Sequence, residues 1–146
     1  MFRFRFHALL AVRRREELIR QGALARALLE ERAAGAARAM LMDERDRRRA
    51  ELRDTMRLAT RGIRDPVPLA LVTHLATIEE RIARAVERCD RTLRVRLAAA
   101  ARLEEAARPR RAMEHLQAAE YERYEAARRR TEERDLDEAN RRRIRG

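Results

Sequence analysis

Eight consecutive residues, Arg61-Gly62-Ile63-Arg64-Asp65-Pro66-Val67-Pro68, hold the one place where helix-stopping and helix-starting signals occur together. Gly62 can adopt the left-handed conformation that closes a helix, and Ile63 can fold back on the last turn. Asp65 offers a side-chain oxygen to the free N–H groups of a new helix. Pro66 suits the first helical position, and Pro68 still lies in the first turn. Both flanks read as helix. The pattern therefore predicts an all-α fold of two long helices forming an antiparallel coiled-coil hairpin, as a single domain over residues 1–146. Helix 1 is expected at about 7–61, the turn at 62–65 and helix 2 at about 66–143.

Composition supports long helices over a thick core. Charged residues make up 42% of the chain, aromatics only 3%, and Ala, Leu, Glu and Arg dominate the remainder. Every basic residue is arginine, and serine is absent. The net charge of +11 admits nucleic acid, an anionic membrane surface or an acidic protein as partner. Opposite charges nevertheless recur four apart, as in Glu16/Arg20, Asp43/Arg47, Glu80/Arg84, Glu87/Arg91 and Glu104/Arg108. That spacing describes a solvated helix surface more simply than a dedicated polyanion site. Cys89 stands alone, which fits a reducing cytoplasm, and the apolar run Ala8–Val12 is far too short to span a bilayer.

Along helix 1, Leu9, Val12, Ile19 and Ala23 form a stripe with Leu24 and Leu28 at its edge. Ala33, Ala37 and Met40 continue it, and Leu52, Met56, Ala59 and Ile63 resume it. Helix 2 has a clearer heptad in Leu71, Leu75, Ile78, Ile82, Ala85 and Cys89. The seam is then expected to step to Leu93, Leu97 and Ala100. Pro109 should bend or end helix 2, because it removes a hydrogen bond and crowds the preceding turn. Counting back from the turn, residue i should face about residue 127 − i, which sets Pro109 near Leu18. Helix 1, about 55 residues and about 80 Å, is shorter than helix 2, about 75 residues and about 115 Å. Beyond Glu120, residues 121–143 should therefore project without an internal partner.

The chain has no serine nucleophile and no Gly-rich phosphate loop. His7, His74 and His115 lack the spacing of a metal site, and two helices side by side enclose no water-excluding pocket. The expectation is a non-enzyme with no catalytic, metal-binding or cofactor-binding residue.

Both ends of the chain resemble the flagellar FliJ family. The opening FRFRFHALLAVRRREE (Phe2–Glu17) is similar to its basic and aromatic lead, Leu-Leu pair and Arg/Glu-rich helix. The closing YERYEAARRRTEERDLDEANRRR (Tyr121–Arg143) is similar to its tyrosine-led charged helix with a Leu-Asp-Glu core, here Leu136-Asp137-Glu138. The resemblance implies a cytoplasmic component of the flagellar type III export apparatus, peripheral at the inner face of the cell membrane. It implies a stalk-like hairpin that binds the hexameric export ATPase, the cytoplasmic domain of the export gate and export chaperones. Carried over by position, Phe4, Leu9, Leu10, Tyr124, Leu136, Asp137 and Glu138 would form the ATPase end. The alternatives are the equivalent stalk of a virulence type III system, a basic coiled coil binding nucleic acid, and a passive structural coiled coil. Interspersed acids, and the lack of stacking aromatics in the basic regions, argue against specific nucleic-acid binding.

Overall fold

The computed structural model describes residues 1–62 and 69–145. Helix α1 spans His7–Thr60 and α2 spans Leu69–Arg145, and the two long helices pack against each other as a helical hairpin. There is no strand among the described residues, and no helix there is long and apolar enough to cross a membrane. At the close of α1, Arg61 and Gly62 donate N–H bonds to the carbonyls of Leu58 and Ala59, at 3.2 and 3.0 Å. Gly62 has φ of 66°, a left-handed conformation that glycine adopts without the steric cost of a Cβ. The expected roles of Ile63, Asp65, Pro66 and Pro68 fall outside the described residues.

The chain divides into two compact units, one of residues 22–101 and the other of residues 1–21 with 102–146. In the first, Arg49 pairs with Glu79 at 2.6 Å and Arg96 with Glu31 at 2.8 Å. In the second, Arg14 pairs with Glu114 at 3.0 Å and Arg110 with Glu17 at 2.5 Å. Within each unit the α1 and α2 segments are thus antiparallel, in a register near the expected 127 − i.

In the 22–101 unit, Leu71, Leu75, Ile82, Ala85 and Cys89 are half-buried and Ile78 is fully buried, as the heptad predicts. Of the expected step to Leu93, Leu97 and Ala100, Ala100 is half-buried, but Leu93 and Leu97 are not. Both are exposed, and the inward line continues through Thr92, Arg96 and Ala99 at unbroken heptad spacing. Arg96 can sit there because Glu31 faces it, whereas a burial count by residue type alone rejects an arginine.

The α1 stripe matches its expected place in part: Ala23, Leu24, Leu28, Leu52 and Ala59 are half-buried as expected, and elsewhere the inward line is displaced by about one residue. Leu9, Val12, Ile19, Met40 and Met56 are exposed, and the inward positions are Leu10, Ala27, Ala34, Leu41, Leu52 and Thr55. Buried Ala27 and Ala34 flank Glu31, so in this register they lie opposite residues 92–100 of α2. Buried Thr55 is satisfied by donating to the Glu51 carbonyl at 2.8 Å.

Pro109 does not end α2, which runs unbroken through it. Ion pairs straddle the defect. Glu104 is held by Arg111 at 3.1 Å and by Arg108 at 3.7 Å, and Arg110 next to the proline is anchored on Glu17.

Candidate functional site

The unit of residues 1–21 and 102–146 contains all seven residues expected at the ATPase end, and it arranges them in two groups. The first group caps the helix pair. Residues 1–4 are irregular, and the chain enters α1 as His7 N–H donates to the Phe4 carbonyl at 3.1 Å and Leu10 N–H to the Phe6 carbonyl at 2.9 Å. The alternating aromatics of this lead thus pack as a cap, without forming a strand. Phe4 and Leu10 are buried, Leu10 at 2% exposure, while Leu9 beside it is exposed. Phe2 meets Tyr121 edge-on, with ring centroids 5.4 Å apart, and meets Tyr124 at 5.6 Å. Phe4 and Phe6 are edge-to-face at 5.8 Å, and the Arg5 guanidinium lies 4.4 Å over the Phe6 ring.

Residues 1–6 precede α1 and still pack on α2, with Phe2 against Tyr121 and Tyr124. Intramolecular cover therefore continues to Tyr124 and Glu125, slightly past the expected limit at Glu120. Every residue from 126 to 144 is exposed.

The second group, Leu136, Asp137 and Glu138, lies on this uncovered helix. Twelve residues separate Tyr124 from Leu136, roughly 18 Å of rise and roughly 120° of rotation away from the covered line. Leu136 is 65% exposed. It is centred in the acidic run Glu132, Glu133, Asp135, Asp137 and Glu138, between Arg128-Arg129-Arg130 and Arg141-Arg142-Arg143. Arg128 pairs with Glu132 at 2.8 Å, and Arg142 pairs with Glu138, which supports the unpartnered helix along its own surface.

Beneath the cap lies a network of four charged residues that residue-by-residue reasoning missed. Arg110 bridges Glu17 and Glu114, both at 2.5 Å, and Glu114 also accepts from Arg14 Nε and Nη2 at 3.2 and 3.0 Å. The expected register carries the signal, since it places Arg110 opposite Glu17. Arg14, followed by Arg110, holds the Glu114 carboxyl below the usual carboxylate range, and Arg111 does the same for Glu104. A carboxylate with a depressed folded-state pKa contributes stability above its unfolded value of about 4.3. That contribution disappears as pH falls through the lower folded value. Acid unfolding followed by circular dichroism should therefore show a shallower acid limb in Glu114→Gln than in the unaltered chain.

Among the described residues, no group of three or more His, Cys, Asp or Glu converges as a metal site. The arrangement offers an aromatic cap, a charge-clamped helix pair and a bare charged helix, which suits macromolecular docking. Comparison with protein-family models, curated proteins and solved structures finds no match for this chain.

Proposed function

We propose that this chain is an interaction protein of a type III export apparatus, most simply the flagellar one, and binds the export ATPase through its uncovered C-terminal helix. The observation carrying the proposal is Leu136, the one large apolar side chain between Tyr124 and Ile144, exposed on a helix that the rest of its unit leaves bare. An isolated, highly charged helix is marginal in water, so a partner that covers Leu136 stabilises it. The resemblance of both chain ends to the FliJ family supports the ATPase as that partner, with Asp137 and Glu138 meeting basic groups around the leucine. Phe4, Leu10 and Tyr124 then act from beneath, by holding the cap that positions the helix, and Leu9 lies exposed beside them. The same reading places the chain in the cytoplasm, peripheral to the membrane through the export gate, with no catalysis of its own. The equivalent virulence apparatus is distinguished by which secretion system's genes adjoin its own.

The test is binding of the full chain and of Leu136→Ala to the cell's export ATPase. Leu136→Ala should weaken binding by about 5–30-fold, as expected for an interface anchor worth about 1–2 kcal/mol, and leave the melting temperature almost unchanged. Amides beyond residue 125 should exchange quickly in the free chain and become protected in the complex. A large fall in melting temperature with binding intact overturns the assignment.

A further inference from the structure

In the 22–101 unit, charge along part of α2 is sorted by face. The residues one step before the inward positions Ile78, Ile82, Ala85, Cys89 and Thr92 are Thr77, Arg81, Arg84, Arg88 and Arg91. They form a stripe about 100° to one side of the seam. The residues one step after those inward positions are Glu79, Ala83, Val86, Asp90 and Leu93. The first stripe thus carries four successive guanidinium groups and no carboxylate, and all four arginines are exposed. The ion pairs formed by this unit's α2 residues are Arg49–Glu79, His74–Glu44, Arg84–Glu80 and Arg96–Glu31. Arg81, Arg88 and Arg91 take part in none of them among the described residues.

In an antiparallel pair, positions just before the seam on both helices fall on the same side. A shallow groove lined by Ala37, Met40, Glu44 and Arg47 of α1 and Arg81 of α2 follows that geometry. Ala33, Ala37 and Met40 therefore make an apolar strip beside the arginine stripe, with Met40 74% exposed. Two alanines permit close approach of another backbone, and a methionine adapts its shape to whatever covers it. The basic stripe is about 15 Å long, some three helical turns. On the α1 side Asp43 and Glu44 are offset by Arg47 and Arg48, and a phosphate backbone fits poorly because it would leave the apolar strip against a polyanion.

We propose that this face docks an acidic amphipathic helix of a partner protein. Its apolar side covers Ala33, Ala37 and Met40, and its flanking carboxylates pair with Arg81, Arg88 and Arg91. The proposal concerns residues 22–101 alone and stands apart from the ATPase reading.

The test titrates the full chain, in 150 mM NaCl, with three synthetic helical peptides of equal length. One carries leucines at helical spacing with glutamates along the flank, one has lysines replacing the glutamates, and one has alanines replacing the leucines. The first should bind saturably, and the other two at least about tenfold more weakly. Arg88→Glu/Arg91→Glu and, separately, Met40→Glu should each weaken binding of the first peptide by at least about fivefold, with helicity unchanged by circular dichroism. Arg32→Glu/Arg53→Glu makes the same change in net charge at exposed positions one step after the α1 seam, on the other side of the pair, and should leave binding intact. Equal loss in that control, equal binding of the leucine-free peptide, tighter binding of a 20-base-pair duplex, or no binding at all overturns the proposal.

Discussion

Ile78→Ala is expected to lower the unfolding free energy by about 3 kcal/mol and the melting temperature by about 6–12 °C, measured by circular dichroism. Ile78 is fully buried in the middle of the α2 seam. Removing three carbons forfeits about 2.4 kcal/mol of transfer free energy, and the cavity left behind adds to that. A core only two helices thick can partly close around the gap, which keeps the loss in the lower part of the usual range. Leu93→Ala is the informative control, because the apolar pattern puts Leu93 on the seam and the structure puts it outside. It should cost less than about 1 kcal/mol. Equal losses at the two positions would restore the seam step that the structure lacks.

Pro109→Ala is expected to raise stability by about 2 kcal/mol and the melting temperature by about 4–8 °C. An alanine supplies the N–H that Pro109 withholds from the Glu105 carbonyl and relieves the ring's crowding of the preceding turn, together worth about 3 kcal/mol. The freer unfolded chain takes back about 0.4–1 kcal/mol. The ion pairs that Glu104 makes with Arg108 and Arg111 remain in the variant, so the gain comes from the backbone. A fall in melting temperature would mean that the half-buried ring contributes more packing than the missing hydrogen bond costs.

The candidate docking segment was legible as an overhang, since arm lengths follow from the position of the turn and from 1.5 Å per residue. Its inner limit lies about four residues beyond the expected Glu120. The expected limit counts from His7, whereas the residues ahead of it still pack on α2 and bring Phe2 to Tyr121 and Tyr124. Alternation in Phe2, Phe4 and Phe6 does not say where those rings land. The resemblance groups Phe4 and Leu10 with Leu136. The structure separates them, the first two inside the cap and the leucine bare on the far helix.

What the sequence determined by itself is whatever depends on neighbours a few residues away. Helix content, the left-handed stop at Gly62 and the heptad from Leu71 to Cys89 are all of this kind. Only the tertiary structure decided which side of α1 faces inward. Leu9, Val12 and Ile19 outweigh Leu10, Arg13 and Glu17 in apolar content, yet the second line is the one turned inward. A charged side chain on a seam is costly alone and acceptable opposite its counter-ion. For Glu17 that counter-ion is Arg110, 93 residues away in the chain, and for Glu31 it is Arg96. Helical periodicity extends over a few turns, so it cannot weigh a residue against a partner at that separation. The packed pair of helices does.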